Sequence, residues 1–174
     1  ARDFGWISTH EAIDRLEATM ATLARLPRCR GHFYNWYDTR DCRVLDPPYV
    51  SSVDSGNLAG HLIALANACD AWHEQPQTEA ARLAGVHDAL AIFQALPGGS
   101  PEPNAAAAAL AARLLADGVV DWPDLGLAVI AVQATLPEAI TADDHDRLFW
   151  LAAVGAAIDS HQPDAQPVAE PVQT

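Results

Sequence analysis

The chain contains no lysine: its basic residues are ten Arg, set against 23 Asp and Glu, and its formal net charge is −13 over 174 residues. Such a surface repels phosphate backbones and anionic membranes, which argues against nucleic-acid binding and against an electrostatic lipid anchor. No apolar run approaches the ~20 residues that a bilayer-spanning helix requires. Cysteine is scarce as well. Cys29, Cys42 and Cys69 are odd in number and show no C-x-x-C spacing, so neither a disulfide framework nor a zinc site is expected. They read as reduced thiols, with Cys69 in a core position. The first residues carry no basic or apolar stretch of the signal-peptide kind, and a start at Ala1 suggests a piece cut from something larger. No βαβ alternation, solenoid period, Ser-His-Asp elbow, Gly-rich phosphate loop or H-x-E deaminase signature is present, and nothing calls for a cofactor.

What is abundant is apolar residue, 50% of the chain against 19% charged, enough for one ordinary hydrophobic core. Its periodicity is helical. Ser8-Thr9-His10-Glu11 is a capping box, and Ile13, Leu16, Met20 and Leu23 follow as one stripe up to a stop near Leu26, before Pro27. A second helix is expected from a cap at Asp54 or Ser55, with Leu58, Leu62, Leu65, Cys69 and Trp72 inward. A third runs from Thr78 to Leu96 on Leu83, Val86, Leu90 and Phe93. Asn104 is expected to cap an Ala-rich fourth helix over 105–116. Pro123 sits in the first turn of a fifth, carrying Leu125, Val129 and Val132. Thr141 is expected to cap a sixth, with Asp143, Asp144 and Asp146 at the positive end of its dipole and Leu148, Leu151 and Ile158 inward. The fold class is therefore all-α, a helical domain over 1–160 with a Pro-containing flexible tail over 161–174.

Between Arg28 and Val53 the helical period vanishes, which points to a long structured loop or a short hairpin. Structureless loops of that length are uncommon unless functional. Phe33, Tyr34, Trp36 and Tyr37 place four rings in five positions, interleaved with Asn35 and followed by Asp38. Sugars need this mixture, because their C–H faces stack on rings while their hydroxyls require donors and acceptors. The plainer alternative is a loop packed by its own rings.

Two stretches carry a resemblance. Gly31-His32-Phe33-Tyr34-Asn35-Trp36-Tyr37-Asp38-Thr39 and Val50-Ser51-Ser52-Val53-Asp54-Ser55-Gly56-Asn57-Leu58-Ala59-Gly60-His61-Leu62 resemble the start of the glucoamylase-like region of cyclic β-1,2-glucan synthases, large membrane glycosyltransferases of Gram-negative bacteria. The resemblance covers roughly residues 26–66, and Asp41-Cys42-Arg43-Val44 departs from it. It implies helical hairpins of an (α/α)6 barrel, or part of one, and action on β-1,2-linked glucan chains to set their length and close the ring. It also implies a soluble domain on the cytoplasmic side of an inner-membrane protein, with β-1,2-glucan and the other synthase domains as partners. Carried over residue by residue, the substrate-binding positions are Asn35, Trp36, Tyr37, Asp38, Asp54 and Asn57. Asp54 reads equally well as an N-cap, and Asn57 as a hydrogen bond tying the loop together.

Glycoside chemistry needs two carboxyls about 5–9.5 Å apart. Asp38 and Asp54 are the acidic pair of the recognised stretch, but six helices cannot close a twelve-helix barrel. The principal catalytic carboxyls are thus expected outside this chain, which assigns it no catalytic residue. The alternative is a non-catalytic helical module that binds sugar or bridges other domains. An incomplete barrel would leave the stripe of Leu83, Val86, Leu90 and Phe93 uncovered, so a homodimer or a rearrangement of the later helices is expected. The His10, Glu11, Asp14 and Asp70, His73, Glu74 faces have ligand spacing, yet read as solvated charge rather than metal sites.

Overall fold

The computed structural model describes residues 1–97, 101–115, 119–136 and 142–165. Six helices dominate: α1 (Thr9–Arg25), α2 (Ser52–Glu74), α3 (Glu79–Ala95), α4 (Pro101–Leu114), α5 (Trp122–Ala134) and α6 (Ala142–Ala165), with a two-stranded hairpin of β1 (Arg28–Cys29) and β2 (His32–Phe33). The all-α reading holds. The chain divides into two compact units, one of Ala1–Ala12 together with Gln77 onward, the other Ile13–Pro76.

In the first unit α3, α4, α5 and α6 each touch the next, and α6 closes back on α3, a four-helix bundle. Local chemistry starts the helices. Thr78 accepts from the Ala81 N–H at the head of α3, and Asp121 accepts from the Asp124 N–H at the head of α5, with Pro123 in the first turn. Val86, Leu90 and Phe93 from α3 meet Leu110 and Leu114 from α4, Leu125, Val129 and Val132 from α5, and Leu151, Val154 and Ile158 from α6, all buried. Of the two ways expected to cover the α3 stripe, a homodimer or a different arrangement of the later helices, the structure shows the second: the stripe is the middle of the core, under α4, α5 and α6 of the same chain. Two helix starts also differ from expectation. Helix α4 begins at Pro101, where a missing N–H costs nothing, and Asn104 does not cap it. Instead Asn104 Oδ1 accepts from Arg147 at 2.9 Å. Arg147 is 1% exposed, and its guanidinium lies 4.4 Å from the Phe93 ring centroid, so its charge is stabilised by π electrons and hydrogen bonds within the core. Thr141, expected to cap α6, lies outside the described residues.

A short plug precedes α1. The 3-10 turn Arg2–Phe4 ends at Gly5, whose φ of 76° suits glycine, and the plug docks on α3 at Gly85. A Cβ on Gly85 would come within 2.0 Å of the Gly5 carbonyl carbon, so two glycines let two backbones touch. The Gly5 carbonyl lies 2.8 Å from His161 Nε2, the Ser8 N–H donates to Ser160 Oγ at 2.8 Å, and the Gln77 amide donates to the Arg2 carbonyl. Where the tail is expected to begin, α6 continues to Ala165 and His161 is buried; residues 166–174 lie outside the described residues.

Ser8 caps α1, accepting from the Glu11 N–H at 3.0 Å in the first unit, and the helix runs on from Ile13 into the second. The true cap of α2 is Ser51, which accepts from the Asp54 N–H, three residues before the expected start. No residue of α2 is buried. Leu58, Leu65 and Trp72 are half-buried, while Leu62 and Ile63 are exposed. Cys69 is exposed rather than in the core, because apolar residues surround the axis of α2 and fix no single inward face.

Candidate functional site

The loop between α1 and α2 is built by turns that its sequence dictates. Arg28 pairs with Phe33 and Cys29 with His32, and the connecting Arg30 and Gly31 have φ of 51° and 89°. Positive φ at both central positions is the type I′ turn, whose twist matches an antiparallel pair. The Arg28 guanidinium sits 4.5 Å from the Phe33 ring centroid across that pair. Tyr37 then fastens the hairpin: its hydroxyl donates to the Pro27 carbonyl at 2.7 Å and accepts from the Tyr34 N–H at 2.8 Å.

Beyond Tyr37 the chain reverses. Tyr37 bridges Val44, the Asp38 N–H donates to the Arg43 carbonyl at 2.9 Å, and the Leu45 N–H donates to the Trp36 carbonyl at 3.2 Å. The Asp38 carboxylate organises this reversal. It accepts from the Arg40 N–H (2.9 Å), Arg40 Nε (3.0 Å) and an Arg40 terminal nitrogen (2.8 Å), with an Arg43 terminal nitrogen at 3.4 Å. Arg40's side-chain and backbone donors, followed by Arg43, lower the Asp38 pKa to about 2, and the same contact raises that of Arg40.

The returning segment is stapled to the start of α2 by Asn35. Its backbone N–H donates to the Tyr49 carbonyl at 2.9 Å, its Oδ1 accepts from the Ser51 N–H at 2.9 Å, and its Nδ2 donates to Asp54 Oδ2 at 2.6 Å. Each end of one amide therefore holds the loop with one bond and keeps one further hydrogen-bonding position. The result is a cavity of about 230 Å³ lined by Phe33, Tyr34, Asn35, Asp54, Ser55 and Leu58. Burial, the nearby Cys29 thiol and Tyr37 raise the Tyr34 pKa, so its phenol stays a neutral hydrogen-bonding group.

Of the six residues expected to bind substrate, the structure brings Asn35 and Asp54 together in this cavity. Trp36 stands outside the lining and is 67% exposed. Tyr37 and Asp38 serve the loop's own geometry, and Asn57 lies exposed on α2, its carbonyl oxygen 2.7 Å from His61 Nδ1. The loop tie anticipated for Asn57 is made by Asn35, and the cap anticipated for Asp54 by Ser51. The S-x-x-D spacing of Ser51 and Asp54 carries that signal in the sequence. Phe33, Tyr34, Ser55 and Leu58 were missed as lining residues, although the first two belong to the four-ring cluster. The lining holds one carboxyl, Asp54, and among the described residues no group of three His, Cys, Asp or Glu converges on a metal-sized site.

No protein-family model matches the chain. It is 53% identical over 95 residues to the cyclic beta-(1,2)-glucan synthase NdvB of Rhizobium meliloti (strain 1021). That stretch is 54% of this chain but 3% of the length of the synthase. The match supports the resemblance to the cyclic β-1,2-glucan synthase family carried by the two motifs.

Proposed function

We propose that the chain is part of the glucan-processing region of a cyclic β-1,2-glucan synthase, and that the Asn35–Asp54 cavity holds a β-1,2-linked glucan chain without cleaving it. The observation that carries this reading is the lining itself: two rings, an amide, a hydroxyl and one carboxylate meet in one concavity, the complement of a sugar's apolar face and polar rim. Turnover needs two carboxyls across the scissile bond, and the lining holds a single one, Asp54. Trp36, exposed beside the cavity, serves as a stacking surface for a neighbouring glucose unit. In this reading the parent protein sits in the inner membrane with this region on the cytoplasmic side, and among the described residues no helix is long and apolar enough to cross a membrane.

The test is titration of the chain with linear β-1,2-glucan, followed by NMR, with chromatography of the same mixture. Saturable shifts at Tyr34, Asn35 and Ser55, weakened by Phe33→Ala and Asp54→Asn, with no change in glucan length, are the expected result. Shifts confined to other parts of the chain, or an unaltered affinity in both variants, would remove the assignment. The alternative of an interdomain module draws on a specific observation, the absence of any buried residue on α2. In that case the chain binds no glucan, and α2 becomes protected only when the remaining synthase domains are present.

A further inference from the structure

A second and larger cavity, of about 360 Å³, opens on the bundle unit between the N-terminal plug, α3 and α6. Its volume lies in the range of small-ligand sites, about 300–1,000 Å³. Trp6 and Trp150 stand in its wall with Ile92 and the small residues Gly85, Ala89 and Ala153, and the one charged lining residue is Asp88. Trp6 is held from two directions. Its indole N–H donates to Asp88 Oδ2 at 3.2 Å, and its ring stacks on Phe4 with centroids 5.1 Å apart. Trp150 packs edge-to-face against Phe149, with centroids 5.4 Å apart. Aromatic walls fixed in advance lose little freedom when a ligand arrives.

The lining selects by exclusion. A sugar needs several donors and acceptors, and here a single carboxylate meets the space. An anion would face Asp88 and the field of a chain with net charge −13. A primary ammonium would bring three N–H donors, of which one carboxylate leaves some dry. A quaternary ammonium has no N–H to satisfy, offers a methyl shell to apolar walls, and is attracted both by indole rings and by a carboxylate. We propose that this cavity binds a small quaternary ammonium cation, with Trp6 and Trp150 as its aromatic walls and Asp88 as its counter-charge.

The experiment titrates the full chain with choline and, separately, with its neutral isostere in which carbon replaces nitrogen. The Trp6 indole N–H resonance is the reporter, assigned through Trp6→Phe. Choline is expected to give a saturable shift, with the isostere about tenfold weaker or more. Asp88→Asn keeps an oxygen acceptor for Trp6 but removes the charge, and Trp150→Leu keeps apolar bulk but removes the π system. Each is expected to weaken choline severalfold, and the exposed Asp88 site keeps the test valid should Trp150→Leu fold poorly. Phosphatidylcholine vesicles form a second arm. Co-sedimentation with them identifies the ligand as a lipid headgroup, whereas choline binding without co-sedimentation identifies a free solute. Equal affinity for choline and isostere, unchanged choline binding in Asp88→Asn, or no saturable shift overturns the proposal.

Discussion

Removing the Asn35 amide tests whether its hydrogen bonds hold the loop that forms the cavity of about 230 Å³. Asn35→Ala deletes two side-chain hydrogen bonds, to Asp54 Oδ2 at 2.6 Å and from the Ser51 N–H at 2.9 Å. An ordinary intramolecular hydrogen bond contributes about 0.5–1.5 kcal/mol net, and the Ser51 bond is of that kind. The Asp54 bond has a charged acceptor but is exposed, which limits it to roughly 0.2–1 kcal/mol. Together they hold the loop by about 1–2 kcal/mol, a five- to thirtyfold change in an opening equilibrium. The loop can open without unfolding the bundle, so hydrogen exchange is a better readout than a melting curve. The informative amide is that of residue 35, which donates to Tyr49 and is left in place by the substitution. Its exchange should quicken by that factor, while amides of α3 and α5 remain unchanged. Asn35→Asp sharpens the test: the Ser51 acceptor survives, but two carboxylates now face each other, and the loop should open at least as readily as in the alanine variant. If exchange at residue 35 is unaltered in both proteins, the staple does not hold the loop and the cavity has another origin.

Trp36→Ala should lower the melting temperature little, since the ring is 67% exposed, far from the ~3–5 kcal/mol cost of truncating a buried one, yet it should weaken binding of β-1,2-glucan; a collapse in melting temperature would make the ring scaffolding. Gly85→Ala should destabilise the bundle unit by about 1–3 kcal/mol or release the plug, because the new methyl meets backbone rather than a movable side chain; differential scanning calorimetry together with exchange at residues 5–8 reads both. The Asp38 clasp should respond to acid in a defined window: its pKa falls from 3.8 to about 2, so its contribution is complete above about pH 4 and disappears as pH falls through about 2. Near-ultraviolet circular dichroism during acid titration follows the change, and Asp38→Asn should abolish that step. The exposed apolar surface of α2 should make the isolated chain self-associate, visible as concentration-dependent sedimentation that Ile63→Glu removes.

Much of the fold follows from spacing that the sequence displays openly. The stripes of α3 and α5 pack into the core as their periodicity requires, since apolar residues three and four apart must share a face. On α6 Leu151 and Ile158 do so, while Leu148, expected inward with them, is half-buried and outside the core cluster. Caps at Ser8, Thr78 and the Pro123 turn are equally local. What spacing does not reveal is which face meets which. The α3 stripe reads as uncovered when the helices are counted toward a barrel, but contacts among α3, α4, α5 and α6 bury it in a bundle. Cys69 satisfies the period of α2 and is exposed nonetheless, because periodicity names a face without supplying a partner. The Gly5–Gly85 contact joins residues whose pairing no local rule announces. At the site, rings and carboxylates mark the loop, yet which of them point into the cavity depends on the return of the chain at Tyr49 and Ser51.

The plug has a kinetic consequence. Ser8 and Ser160 bond across a sequence separation of 152, and Gly5 and His161 across 156, so these plug contacts can form only once the far end of α6 is in place. Residues 13–76 form an excursion inserted between two parts of one unit. Bringing the ends of roughly 60 intervening residues together costs about (3/2)RT ln n, near 4 kcal/mol plus a constant, before any plug contact is formed. Docking of residues 1–8 should accordingly be the last event in folding and the first to be undone. It also makes the excursion a handle closed at both ends: a protease that cuts once between α1 and α2 leaves two pieces which the plug, seated between Gly85 and His161, still clips together.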